Sequence, residues 1–377
     1  MSRLVLGTKR DDQRPLAHQK VLKDALCRLF GASARFRPFQ LEAMQSLLDS
    51  YDTLLVLPTG TGKSLIYGLP PAALGAGNVS LVVTPLVALG KNQAKSLAEE
   101  LDVDARLFTN SDASLEQQKK MADDIADPDG SIQVLITTPE TLSRNMLLRG
   151  ALSVASDLGK IFCVAIDEAH VAEPWGREFR PAYRQLPEIL QVLDRKRIPM
   201  LACTASASKD AQMRIMDTLG IKKDCKVFVA SADRAEIQLN VYPKELCVYP
   251  KELLDASEDP DQDPVVLKMA EYVEEGVCGL IFCRSKATVD RVASSLQAID
   301  GLEDLVLAYH AGLESKVRER RQRAWEDGDV SVLVCTIAFG MGINKPDVRS
   351  VCTNFFPPLA PQHRMRHDQI AHICRSR

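Results

Sequence analysis

Leu54 to Leu69 reads LLVLPTGTGKSLIYGL: an apolar run, a turn punctuated by two glycines, and a second apolar run. Thr59, Gly60, Thr61, Gly62, Lys63 and Ser64 fall where a strand would hand over to a helix. At such a junction backbone N–H groups and the positive end of the helix dipole cradle phosphates. Lys63 is placed to neutralise the β- and γ-phosphates, and the Ser64 hydroxyl to coordinate Mg²⁺. The spacing G-x-x-x-x-G-K-[ST] is met except at its first position, which is Leu57. The plain alternative is a glycine-rich strand-to-helix turn with a surface lysine.

Outward from this stretch, short β-branched runs alternate with longer amphipathic ones. The runs at 53–57, 79–84, 132–137, 161–167 and 198–204 read as strands, and Leu86–Leu101 and Asp112–Ala126 as helices. Strand then helix, repeated, predicts a parallel sheet covered on both faces. The pattern stops near 235 and resumes with strands at 277–283, 304–309 and 330–336 and helices near 286–299 and 314–327. The expected fold is therefore α/β in two parallel-sheet units. Between them lies the acidic, proline-containing stretch LDASEDPDQDP ending at Pro264, which reads as a solvated linker. Just before it VYPKEL occurs at 241–246 and again at 248–253, a duplication with no assigned role. The predicted organisation is an N-terminal extension at 1–29, a first domain at 30–235, a linker at 236–264 and a second domain at 265–377.

Composition narrows the class without naming it. A chain of 377 residues, 46% hydrophobic and 26% charged, suits two ordinary globular domains. No apolar run approaches the roughly 20 residues that span a bilayer, and MSRLVLGTKRDDQRP carries no secretory signature. An intracellular address is expected, the nucleus if the source is eukaryotic. The ten cysteines are scattered without a C-x-x-C pair and read as buried thiols rather than zinc ligands. A net charge of -3 gives no global sign of nucleic-acid binding, which a local basic patch could still support.

A phosphate loop needs carboxylates at the end of a neighbouring strand, and VAIDEAH supplies them at Asp167 and Glu168. Asp167 would hold Mg²⁺ through its water shell, and Glu168 would polarise the attacking water as general base. Ahead of the loop, Arg37 and Gln40 precede a helix. A glutamine amide donates and accepts at once, which suits an adenine edge beside an ATP pocket.

In order, FRPFQ, PTGTGKS, VVTPLVAL, TTPE, IDEAH, WGREFRPAY, TASAS, LIFCRSKATVD, YHAGL and VCTIAFGMGINKPDVR resemble the motifs of superfamily 2 helicases, and of RecQ DNA helicases in particular, over about residues 30 to 350. The likeness implies two RecA-like domains that bind ATP and Mg²⁺ and act on single-stranded and forked DNA, moving 3′ to 5′, in repair and recombination. It makes WGREFRPAY an aromatic-rich loop that senses single-stranded DNA, with Trp175 and Phe179 as rings and Arg180 as cation. Base stacking is worth roughly 1–3 kcal/mol per base and tolerates any sequence. Packing of the two rings on the following helix is the alternative. By the same likeness Thr84 tracks the strand, Thr204 and Ser206 link the ATP and DNA sites, and Arg284, Ser285 and His310 face DNA or the cleft. Thr336, Gly340 and Asp347 fall in the motif that closes over the nucleotide.

The family's Gln-x-x-Gly-Arg-x-Gly-Arg run, which supplies an arginine finger, has no counterpart in FFPPLAPQHRMRHDQIAHICRSR at 355–377. Arg364 or Arg366 could occupy its neighbourhood, but the glycines that would present them are missing. The second domain is accordingly expected to be incomplete, and the zinc-binding and winged-helix modules of many RecQ proteins to be missing. Two other readings stay open: an RNA helicase, favoured by the literal Asp-Glu-Ala-His, and a diverged protein that binds ATP and DNA without turnover.

Overall fold

The computed structural model describes residues 14–58, 60–75, 77–111, 114–173, 180–231, 266, 270–271, 273, 277–336, 339, 345 and 347–354. The interval 236–264, Thr59, Trp175, Phe179, Gly340, Arg364 and Arg366 lie outside them. The chain forms two compact units, Met1–Ala232 and Asp233–Arg377.

In the first unit, helices α1 (Arg14–Phe30) and α2 (Gln40–Leu48) precede strand β1 (Thr53–Val56) and helix α3 (Lys63–Leu74). There follow β2 (Val79–Val83), α4 (Val87–Leu101), β3 (Ala105–Phe108), α5 (Leu115–Ala126), β4 (Val134–Thr137), α6 (Pro139–Arg144), α7 (Met146–Asp157), β5 (Ile161–Ile166), α8 (Leu186–Ile189), β6 (Met200–Thr204), α9 (Lys209–Leu219) and β7 (Lys226–Val229). The seven strands pair in parallel in the order β3-β4-β2-β5-β6-β1-β7.

Every residue of β1, β2, β4, β5 and β6 is buried. Side chains alternate between faces. Leu54, Val56, Val164 and Ile166 pack with Ala122 and Ile125 of α5 and Leu148, Leu152 and Ala155 of α7. Leu55, Leu57, Cys163 and Ala165 pack with Leu22, Met44, Ile66 and Leu97 of the helices α1 to α4. Two-sided burial explains why these strands read as unbroken apolar runs. The edge strands are not buried throughout: β3 exposes Arg106 and buries only Phe108, and β7 exposes Lys226, Val227 and Val229, so they lack that signature.

Capping residues set the helix ends. Ser114 and Gln117 close a capping box on α5, Thr138 precedes Pro139 at the start of α6, and Ser208 accepts from Ala211 N at the start of α9. Lys160 is almost fully buried, and its Nζ donates to Ile125 O at 3.2 Å and to Asp127 O, which places a cation on the carbonyls that end α5. Asp52, also buried, accepts from Arg195 Nη2 at 2.9 and 3.1 Å, Met200 N at 2.7 Å and Lys222 N at 3.0 Å, joining the starts of β1 and β6.

The second unit carries β8 (Gly279–Cys283), α10 (Lys286–Gln297), β9 (Val306–Tyr309), α11 (Ser315–Asp327), β10 (Val332–Thr336) and β11 (Ser350–Asn354). Its parallel order among the described residues is β11-β8-β10-β9. One face buries Ile281, Val292, Leu296, Val306 and Val334; the other buries Phe282, Leu333, Cys335 and Trp325, whose Nε1 donates to Gly279 O at 3.2 Å. The chain is thus α/β with two parallel-sheet units, as its strand and helix alternation predicts. Of the eight cysteines described, Cys163, Cys203, Cys278, Cys283 and Cys335 are buried free thiols. Among the described residues no helix is long and apolar enough to cross a membrane.

Candidate active site

The strand order sets β1, β6, β5 and β2 side by side, so the loops leaving their C-terminal ends are neighbours. In open parallel sheets this edge, where the winding reverses, is where ligands bind. The glycine loop leaves β1, the acidic motif leaves β5, Thr204 ends β6, and Thr84 follows β2.

In the glycine loop, Leu57 N still pairs with Thr204 O at 3.0 Å. Gly60 and Gly62 then take φ of +78° and +77°, the left-handed region that side chains avoid. A Cβ on Gly62 would also lie 2.6 Å from Gln40 Nε2. Gln40 is buried beside the loop, and its Nε2 donates to Thr61 O at 3.0 Å and Gly62 O at 3.2 Å, while its Oε1 accepts from Arg37 N at 2.9 Å. The Arg37 guanidinium donates to Gly60 O. Three successive carbonyls are tied to Arg37 and Gln40, which suits a loop whose N–H groups must face an anion. Lys63 begins α3 and donates from Nζ to Leu57 O at 2.9 Å, across the mouth of the loop; Ser64 follows, half-buried.

The acidic motif is held as firmly. Asp167 N donates to Val83 O at 2.9 Å, and Glu168 takes a left-handed φ of +49°. Burial, and the Glu168 carboxylate beside it, push the Asp167 carboxyl up to about 6, against the opposing pull of Lys63 and a hydrogen bond from Gln93. Gln93 Nε2 of α4 donates to Asp167 Oδ2. The sequence reading missed Gln93: a lone glutamine on an amphipathic helix carries no motif.

His170 was missed too. Its Nδ1 lies 3.2 Å from Thr204 Oγ1 and 3.3 Å from Glu168 Oε2. Thr204 donates its single proton to Ser206 O at 3.2 Å, so Nδ1 carries the ring proton toward Thr204 and Glu168. A continuous chain Glu168–His170–Thr204–Ser206 joins the loops after β5 and β6.

Arg180 N donates to Val171 O at 2.9 Å, and its guanidinium stands 3.9 Å from Glu140. Thr84 is fully buried. In the second unit Arg284 is exposed at the end of β8, and Ser285 caps α10 by accepting from Thr288 N at 3.1 Å. His310 is buried; Nδ1 accepts from Gly312 N at 3.1 Å, so Nε2–H donates to Asp290 Oδ1 at 2.9 Å. Thr336 ends β10, and Asp347 pairs with Lys345 Nζ at 3.1 Å. The structure therefore brings Arg37, Gln40, Gly60 to Ser64, Asp167, Glu168 and Thr204 to one edge of the first sheet, and sets Arg284, Ser285, His310 and Asp347 in the second unit.

The DEAD/DEAH box helicase family matches residues 37–214, and the helicase conserved C-terminal domain matches residues 265–372. Among curated proteins, the Haemophilus influenzae ATP-dependent DNA helicase RecQ is 36% identical over 319 residues, covering 84% of this chain and 46% of the relative. The Caenorhabditis elegans putative ATP-dependent DNA helicase Q1 is 33% identical over 325 residues, covering 86% of this chain and 48% of its own. The chain belongs to the RecQ family. This RecQ-family chain spans about half the length of the curated relatives it matches. Its fold is also that of the Mycobacterium smegmatis helicase Lhr bound to ssDNA and AMP-PNP, with TM-score 0.63, 21% identity and coverage of 90% of this chain and 44% of that one. Saccharomyces cerevisiae Dbp5 bound to RNA and ADP BeF3 gives TM-score 0.60 at 16% identity, with coverage of 90% and 83%.

Proposed function

We propose that this chain is the ATP-driven motor core of a DNA helicase, coupling hydrolysis to single-stranded DNA and moving 3′ to 5′ to open forked duplexes in repair and recombination. The observation that carries this reading is the gathering of Lys63, Asp167 and Glu168 at the ends of β1 and β5, the two strands that flank β6, with the loop carbonyls tied to Arg37 and Gln40. The relatives named as ATP-dependent DNA helicases support it.

The donor set fits a hard cation. Asp167 and Ser64 offer oxygen only, and the raised proton affinity of Asp167 marks a buried negative site that Lys63 does not fully offset. These two residues would hold Mg²⁺, which would offset phosphate charge when bound. Lys63 exchanges Leu57 O for a phosphate oxygen. The Thr59 to Ser64 backbone receives the phosphates, and Arg37 with Gln40 keeps that loop in shape next to the base. Glu168 orients and deprotonates the attacking water, itself steadied by the His170 proton. For the second unit, the family resemblance assigns nucleotide contacts to Thr336, Gly340 and Asp347. The same resemblance assigns DNA contacts to Thr84, Trp175, Phe179 and Arg180 in the first unit and to Arg284, Ser285 and His310 in the second, and strand binding at Trp175 to Arg180 reports to Glu168 a few residues upstream.

The missing Gly-Arg-x-Gly-Arg run favours a second reading, in which ATP and DNA bind without turnover. An arginine finger is worth about 10³–10⁵ in phosphoryl-transfer rate. ATPase rates with and without single-stranded DNA separate the two. Turnover stimulated by DNA, abolished in Glu168→Gln and uncoupled in Trp175→Ala, supports the motor. Saturable binding with no turnover above Glu168→Gln rejects it, and preferential stimulation by RNA strands favours the RNA-helicase alternative.

A further inference from the structure

Gln93 projects from α4, a helix that follows Thr84 and has no part in the roles assigned so far. Its Nε2 donates to Asp167 Oδ2. Its Oε1 is buried and has no hydrogen-bond partner among the described residues. The amide orientation is decided by chemistry: an ionised carboxylate only accepts, so the NH₂ end must face Asp167 and the carbonyl end must face away. A buried acceptor without a donor is uncommon in native proteins and calls for a missing partner. The partner needed is a donor of small size, adjacent to the carboxylate on which the hydrated cation would rest. Mg²⁺ dehydrates reluctantly and keeps several waters, each a strong donor.

We infer that Gln93 is a positioning residue for the Mg²⁺·nucleotide site: its amide N–H orients the Asp167 carboxylate, and its amide oxygen accepts a hydrogen bond from a water of the hydrated cation. This rests on the nucleotide-site reading above. Gln93 touches neither phosphate nor attacking water, so its effect falls on how much Mg²⁺ the site needs. Groups that orient metal-binding carboxylates change metal affinity by about 10- to 100-fold when removed.

The test is equilibrium binding of a fluorescent ATP analogue to the full chain, titrated with Mg²⁺ from an EDTA baseline. Gln93→Met keeps the length and shape of the side chain and removes both hydrogen bonds. The expected result is a Mg²⁺ midpoint raised by about tenfold or more, with the affinity in EDTA unchanged. Gln93→Asn, which keeps the amide but shortens its reach, is read in the same titration and decides the matter if Gln93→Met misfolds by circular dichroism. An unchanged Mg²⁺ midpoint in a folded variant overturns the inference while leaving the nucleotide site standing. A wild-type protein whose nucleotide affinity gains nothing from Mg²⁺ overturns both. Equal weakening with and without Mg²⁺ reduces Gln93 to a packing residue and also overturns it.

Discussion

Asp167→Asn is expected to stabilise the nucleotide-free protein. The carboxyl group is buried next to Glu168, and Lys63 and Gln93 only partly compensate, which is why it titrates near 6 rather than in the usual carboxylate range. A folded state that binds a proton more tightly than the unfolded chain loses stability as pH rises between the two values. The penalty is therefore absent at low pH, grows through pH 4 to 6 and is complete at neutral pH. Its ceiling is roughly 3 kcal/mol, from about 1.4 kcal/mol per pH unit. An asparagine removes the charge, keeps the shape and can still accept from Gln93 through its carbonyl oxygen. With allowance for relaxation and residual solvent the net gain should be about 1–2 kcal/mol at pH 7.5, or about 2–8 °C in Tm for a domain of this size. Thermal and urea melts in EDTA, at pH 7.5 and at pH 4.5, measure it. Saturating Mg²⁺·nucleotide should reverse the order, because a ligand at about 100 times Kd adds about 2.7 kcal/mol only to a protein that binds it. A variant no more stable than wild type at pH 7.5, or equally stabilised at pH 4.5, refutes the account of a strained anionic site.

Three further outcomes follow from the geometry. Gly62→Ala places a methyl 2.6 Å from Gln40 Nε2 at a left-handed φ, so fluorescent-nucleotide titration should show at least about a tenfold loss of affinity, with about 1 kcal/mol or more of destabilisation. Asp52→Ala removes the carboxylate from Arg195 Nη2 and leaves two backbone N–H groups without their acceptor, and urea unfolding should register a loss of about 2–4 kcal/mol. His310→Phe removes the acceptor of Gly312 N–H, and hydrogen exchange at that amide should accelerate by about tenfold, the equivalent of one net hydrogen bond.

The alternation of apolar strands and amphipathic helices, the loop Thr59 to Ser64 and the pair Asp167-Glu168 were all legible in the sequence. Buried parallel strands are apolar on both faces, and a phosphate loop must be contiguous because its donors are successive backbone N–H groups. Edge strands β3 and β7 were not legible, since half-exposed residues such as Arg106 and Lys226 carry no two-sided apolar pattern. Nor was β11, whose pairing with β8 is set by the sheet rather than by its own residues. The sequence by itself determined which residue types could handle phosphate and metal. Only the tertiary structure decided that Gln40 and Arg37 hold the loop's carbonyls, that Gln93 reaches Asp167, and that His170 ties Glu168 to Thr204. Those contacts join residues distant in sequence through the order of strands in the sheet, and spacing along one chain does not encode that order.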